Sequence, residues 1–159
     1  MKNLYIRGEE LVEPSLRSSL KKTVRLIYKG AGLGDRVLSV AFIDNDEMKE
    51  LNYLWRGKKK TTDVLSFSAQ EGEIMPGTEN LLGDLAICVD VALKQAKKYK
   101  HSLNEEVAVL VSHGILHLLG YDHERSDEDA HLQAEMEMSL LAKAGFDPQL
   151  ALTGRQIHP

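Results

Sequence analysis

Cysteine is nearly absent from the 159-residue chain. Cys88 is the only one, so no internal disulfide can form and nothing calls for an oxidising compartment. Long apolar runs are missing as well. The longest unbroken stretches, such as Val107 to Val111, fall far short of the ~20 residues that span a bilayer. The N-terminal MKNLYIRGEE has no apolar core and does not read as a secretory signal. These absences predict a soluble, cytoplasmic protein with no membrane partner. No positive excess exists either: the net charge of −4 argues against a general nucleic-acid coat protein. No internal repeat or low-complexity segment is visible. With 43% hydrophobic and 28% charged residues, disorder, collagen and coiled-coil arrays are excluded as descriptions of the whole chain.

The length suits one domain at roughly 150 residues per domain, enough to build a core without staples. We expect that domain over residues 1–145 and a weakly patterned tail over 146–159. The charge is uneven. Arg56, Lys58, Lys59 and Lys60 place four cations in five residues, and Lys94, Lys97, Lys98 and Lys100 form a second basic cluster that reads as a solvated helix face. The stretch 122–137 holds seven acids against Arg125.

Short β-rich segments at 3–6, 37–43, 63–68 and 81–89 read as strands. Helices are predicted from Pro14 to Gly30, from Asp44 to about Leu54 and over 90–100, and one opened by Ser126 closes near Gly145. The loop 69–80, with two glycines and a proline, reads as an exposed connection. Alternating strands and helices predict an α/β or α+β sandwich. Cys88, between Ile87 and Val89, is expected in the core. Met136 is expected to pack at helical spacing with Leu132 and Leu140. His101, His131 and His158 receive no functional assignment.

The chemistry lies on the remaining helix. Ser102 and Glu105 form a capping box, and VAVLVSHGILHLL runs to Leu119 before Gly120 ends it. The helix is apolar on nearly every face, which predicts a central, buried position. Into it fall His113 and His117, whose i, i+4 spacing puts both imidazoles on one face. His123 follows after the glycine turn. Three imidazoles around an open fourth position are a known catalytic zinc arrangement. The ligand spacing equals that of metzincin peptidases, H-E-x-x-H-x-x-G-x-x-H, but Gly114 stands where those enzymes carry the glutamate general base. A metal hydrolase is predicted, and an ordinary peptidase disfavoured.

The string HGILHLLGYDH, residues 113–123, resembles the signature of the YbeY family of bacterial endoribonucleases. LNYLWRGKKKTTDVLSF at 51–67 resembles a second block of that family, and Leu82-Gly83-Asp84-Leu85 a third. Lys59 stands where the family usually has Asp, Thr61 where it has Pro, and Trp55 replaces a Tyr or Phe. The resemblance implies an α/β sandwich with a mixed four-stranded sheet, a central histidine-bearing helix and flanking helices. It also implies one zinc ion per chain held by His113, His117 and His123. The implied activity is metal-dependent cleavage of single-stranded RNA, in maturation of small-subunit ribosomal RNA ends and in ribosome quality control. RNA and the ribosome or its small subunit are therefore the implied partners. Arg56 matches an arginine needed for activity, where a planar guanidinium can bind two phosphate oxygens. Lys58 is expected to help hold the RNA backbone. Asp122, Glu124 and Asp84 remain candidates for moving the proton. Two rival readings stand beside this one: a metallopeptidase, and a noncatalytic ribosome-assembly factor with structural zinc.

Overall fold

A computed structural model describes residues 3–69, 76–121 and 126–153. Four strands and five helices follow in the order β1 (Leu4–Arg7), α1 (Pro14–Gly30), β2 (Val37–Ile43), α2 (Asn45–Arg56), β3 (Val64–Ser68), β4 (Leu81–Cys88), α3 (Val89–Lys98), α4 (Leu103–Leu118) and α5 (Asp127–Lys143). Short 3-10 turns lie at Glu9–Leu11 and Pro148–Leu152. The sheet order is β1-β2-β4-β3. β1 and β4 both run parallel to β2, while β3 pairs antiparallel with β4 and forms an edge. The sheet is therefore mixed and the fold α+β, as predicted. No described helix is long and apolar enough to cross a membrane.

Strand alternation divides the sheet into two faces. Leu38, Val40, Phe42, Leu85 and Ile87 face the main core with α1, α4 and α5. Ala41, Ile43, Leu65, Ala86 and Cys88 face the other way and pack with Met48 and Leu51 of α2. Cys88 is fully buried, as expected of a core residue, and burial pushes its thiol pKa up. α2 opens where Asp44 accepts from the Glu47 amide at 2.9 Å, and ends at Gly57 in the left-handed region.

α4 is the central element. Its capping box is complete: the Glu105 amide donates to Ser102 Oγ at 3.0 Å and the Ser102 amide donates to Glu105 Oε1 at 2.8 Å. One charge is buried on it. Glu106 is 0% exposed and accepts from Gln95 Nε2 at 2.6 Å, with His101 Nε2 at the same distance on its other oxygen. A buried carboxylate needs such partners, and His101 thereby acquires a structural role.

Two expectations change. Residues 146–152 do not hang off as a tail. Phe146 packs on the core, and the 3-10 turn after Pro148 buries Leu150 and Ala151 against it. Two inward residues on one short turn are too few to show periodicity, yet enough to dock it. On α5, Leu132 is exposed and Met136 only half-buried, because the helix turns Gln133, Glu137, Leu140 and Leu141 inward instead.

Candidate active site

From Glu106 to Leu118 every residue of α4 is buried except His113 and His117. Over that stretch the helix opens to solvent only at its two histidines. Their rings lie side by side, centroids 5.5 Å apart and tilted by 45°. The helix pitch sets this neighbourhood, since i and i+4 share one face.

The adjoining face explains Gly114. A Cβ there would stand 2.6 Å from Leu85 Cδ2 and 2.9 Å from its Cδ1. Gly83 is as tightly placed: at φ 151° its Cβ would meet the Phe67 carbonyl oxygen at 2.3 Å and Leu118 Cδ2 at 2.9 Å. Positions 114 and 118 of α4 therefore press on β4, while 113 and 117 point elsewhere. Gly114 serves the packing of helix on sheet, and a side chain in its place would enter the sheet interface.

Behind His113 stands a buried polar pair that the sequence reading overlooked. Glu137 is 3% exposed, and its Oε2 lies 3.3 Å from His113 Nδ1. The side-chain amide of Gln133, 1% exposed, lies 3.1 Å from the same nitrogen. An ionised carboxylate can only accept, so Nδ1 donates in this contact, and in the neutral ring Nε2 then carries the lone pair. A half-turn of the Gln133 amide, whose Oε1 has no hydrogen-bond partner among the described residues, would bring its carbonyl to the same proton. A histidine so held is oriented as metal-binding imidazoles usually are, with a carboxylate on the far nitrogen. The donor set fits a divalent ion that takes imidazole nitrogen, and His113 and His117 could supply two of its ligands. His123, with Asp122 and Glu124, lies outside the described residues. Among the described residues no group of three His, Cys, Asp or Glu side chains comes together as a metal site.

Arg56 occupies a different wall. It ends α2 and lines a cleft of about 870 Å³ together with Trp55, Arg7, Phe67 and Asp84. Neither His113 nor His117 lines this cleft. Asp84 points to the α2 side of the sheet, while its neighbour Leu85 faces Gly114. That alternation puts Asp84 across the sheet from the histidine helix, which weighs against a proton-moving part there. The edge strand β3 touches α4 and also lines the cleft, so it joins the two regions. Lys58 is exposed in the loop after α2. That loop is anchored by Asn52, 1% exposed, whose Nδ2 donates to the Lys60 carbonyl at 2.8 Å. Asn52 is a second residue the sequence reading missed. Its signal was a polar side chain on the face of α2 that also carries Met48.

A mixed sheet over a core helix whose paired imidazoles face solvent defines a small α+β protein with an imidazole-based site. Comparison with known proteins makes the class particular. The family model described as Endoribonuclease YbeY matches residues 6–145. The protein named Endoribonuclease YbeY from Desulforamulus reducens is 39% identical over 146 residues, covering 89% of this chain and 95% of the relative. Its namesake from Aquifex aeolicus is 43% identical over 127 residues, covering 80% and 83%. The solution structure of TM1509 from Thermotoga maritima is 30% identical with a TM-score of 0.54, covering 88% of this chain and 90% of that one. The chain belongs to the YbeY endoribonuclease family, a family of hydrolases.

Proposed function

We propose that this protein is a zinc-dependent endoribonuclease that cuts single-stranded RNA in the cytoplasm, acting on small-subunit ribosomal RNA ends and in ribosome quality control. The observation that carries the reading is the pair of half-exposed histidines on an otherwise buried helix, one of them backed by Glu137 and Gln133. His113, His117 and His123 would hold the ion. When bound, zinc supplies Lewis acidity at a phosphate oxygen or at water.

The chain's own residues do the rest. Glu137 would hold the His113 proton on Nδ1, the tautomer in which Nε2 is the ligand atom. Arg56, fixed at the end of α2 by the Gly57 turn, offers two parallel N–H donors to phosphate oxygens. Negative charge that builds on the phosphoryl group during cleavage is best met by such a group. Lys58 adds a point charge to the RNA backbone from the loop that Asn52 anchors. An RNA strand running over the edge strand β3 would reach both the Arg56 cleft and the histidines. The peptidase alternative loses support at Gly114, because a glutamate there would be driven into Leu85 rather than toward the histidine face.

The test is cleavage of a single-stranded RNA by metal-quantified protein, beside Arg56→Ala and His117→Ala. Wild type should cleave and both variants should not, with zinc lost only from His117→Ala. One zinc per chain, no cleavage and no difference among the three proteins would overturn the reading in favour of a noncatalytic role.

A further inference from the structure

The α2 side of the sheet is only half covered. Where α2 packs, the row is apolar: Ala41, Ala86 and Leu65 lie in register and belong to the cluster under Met48 and Leu51. The next row is open. Tyr5 pairs with Ser39, Ser39 with Asp84, and Asp84 with Phe67, so four side chains cross the four strands in one line. At 4.7–4.9 Å per strand this row spans about 14 Å. An aromatic ring stands at each end, with a hydroxyl and a carboxylate between. Trp55 leans over the Phe67 end, its ring centroid 5.6 Å from that of Phe67 at 67°. Tyr5 is 59% and Trp55 68% exposed, far more than packing aromatics should be.

Three charges line the same cleft without using their charge on the protein. Arg7, Arg56 and Asp84 make no side-chain hydrogen bond or ion pair among the described residues. Lys58, Lys59 and Lys60 follow Arg56 in the chain, although Lys59 itself lies over the Tyr53 ring outside the cleft. Cations thus border the cleft while a single carboxylate sits in its middle row. Exposed rings with bordering cations are what a single strand requires: base faces stack on aromatics and phosphates meet Arg and Lys. The lone carboxylate then falls among the bases, where it can accept from their N–H edges. Guanine presents two adjacent donors on its Watson–Crick edge, matching the two oxygens of one carboxylate, whereas adenine presents one.

We propose that the row Tyr5–Ser39–Asp84–Phe67, with Trp55 above it, is a base-reading platform for single-stranded RNA that favours guanine through Asp84. The platform rests on the ribonuclease reading above and deepens it: it gives the enzyme sequence preference away from the histidines. A protein partner is the competing occupant. The excess of cations over the one carboxylate, together with the ring pair, favours RNA.

Trp55 is the only tryptophan in the chain, so its fluorescence reports stacking directly and without catalysis. The zinc-loaded protein is titrated with dye-labelled 2′-O-methyl 12-mers, one guanine-rich and one all adenine, followed by both anisotropy and Trp55 emission. Quenching of Trp55 should saturate with the same Kd as anisotropy, and the guanine-rich oligomer should bind more tightly. Tyr5→Ala and Trp55→Leu should each weaken binding by about tenfold, the scale of one lost base stack. Asp84→Ala should erase the guanine preference and leave the affinity for the adenine oligomer unchanged. Binding seen by anisotropy with no change in Trp55 emission, or wild-type affinity in both aromatic variants, overturns the platform while the ribonuclease reading stands. Unchanged base preference in Asp84→Ala overturns the guanine-reading role of Asp84. No RNA binding by wild type, combined with no cleavage, overturns both the platform and the ribonuclease reading.

Discussion

Glu137 offers the sharpest test of how the histidine helix works. Glu137→Gln keeps the size of the side chain and removes its charge, and Glu137→Ala removes its contact altogether. Loss of a carboxylate behind a metal-binding histidine typically weakens metal affinity by about 10–100-fold. The separation of 3.3 Å from His113 Nδ1 exceeds the ≈ 2.7–2.9 Å of a strong charge-assisted bond, and Gln133 remains beside the same nitrogen at 3.1 Å. Both facts place the single variants near the lower end, about tenfold, or about 1.4 kcal/mol. Gln133→Ala combined with Glu137→Ala should cost more than either alone, because the second partner no longer compensates. The zinc-free proteins should behave differently, since Glu137→Gln relieves a buried carboxylate and should change their stability little. Chelator competition gives the zinc Kd directly. Thermal denaturation with excess zinc gives a second reading: a tenfold weaker Kd removes about 1.4 kcal/mol of ligand stabilisation, worth roughly 3–6 °C in a domain of this size. A zinc Kd within twofold of wild type in both single variants and in the double variant would refute the positioning role.

Gly114→Ala should lower stability by up to about 2 kcal/mol in denaturant unfolding, overpacking of about 1–3 kcal/mol against Leu85 being set against a helix-propensity gain of about 1 kcal/mol, and Leu85→Val should restore much of any loss. Gly114→Glu, which completes the metzincin string, should fold poorly and show no cleavage of casein. Asn52→Ala should remove about 1 kcal/mol of stability and raise the KM for RNA, while zinc content, measured by atomic absorption, stays at the wild-type value. Ser102→Ala should cost about 1 kcal/mol through the lost cap, seen as a Tm lower by roughly 2–4 °C. The Cys88 thiol and the Tyr28 hydroxyl are both held above their ordinary pKa, chiefly by burial. Their protonated forms stabilise the fold fully below the unfolded-state pKa values, so denaturant midpoints should fall as pH rises through the alkaline range. Cys88→Ala should flatten the thiol part of that fall.

Most of α4 was legible in the sequence because local chemistry specifies it: a capping box, an unbroken apolar run and a glycine stop need no distant partner. The strands were legible for the same reason, but their order was not. Nothing local says that β4 inserts between β2 and β3, nor that Tyr5, near the start of the chain, ends in one row with Phe67. The cleft is made by this non-local pairing, so its aromatic row stayed hidden. α5 misled for a different reason. Hydrophobicity selects the stripe Leu132, Met136, Leu140, whereas the buried stripe is Gln133, Glu137, Leu140 and Leu141. Polar side chains went inward because they face an imidazole that needs partners. Such reversals of the apolar-inside rule are expected where function outranks packing. Here the legible trace was a Gln and a Glu four residues apart, leading into two leucines.

The histidine spacing and the catalytic base are separate properties of one helix, which is why a shared ligand pattern does not carry a shared reaction. The i, i+4 spacing orients two imidazoles through helix pitch alone and works in any fold that exposes that face. Whether position 114 can hold a base depends on what packs on the adjoining face, and in this fold the sheet is there. Leu85 approaches so closely that only glycine fits without displacement. In exchange, α4 is clamped against β4 at 114 and 118, buried almost throughout, and fixed at its N-terminus by a complete cap. A site on so rigid a helix is held more accurately than one on a loop. The same clamp that denies the helix a glutamate base fixes the imidazoles in place, and in the proposed mechanism phosphate recognition falls to Arg56 and its neighbours across the edge strand. Charge stabilisation by arginine suits phosphoryl transfer better than peptide hydrolysis, because the phosphoryl group builds its negative charge on several oxygens at once.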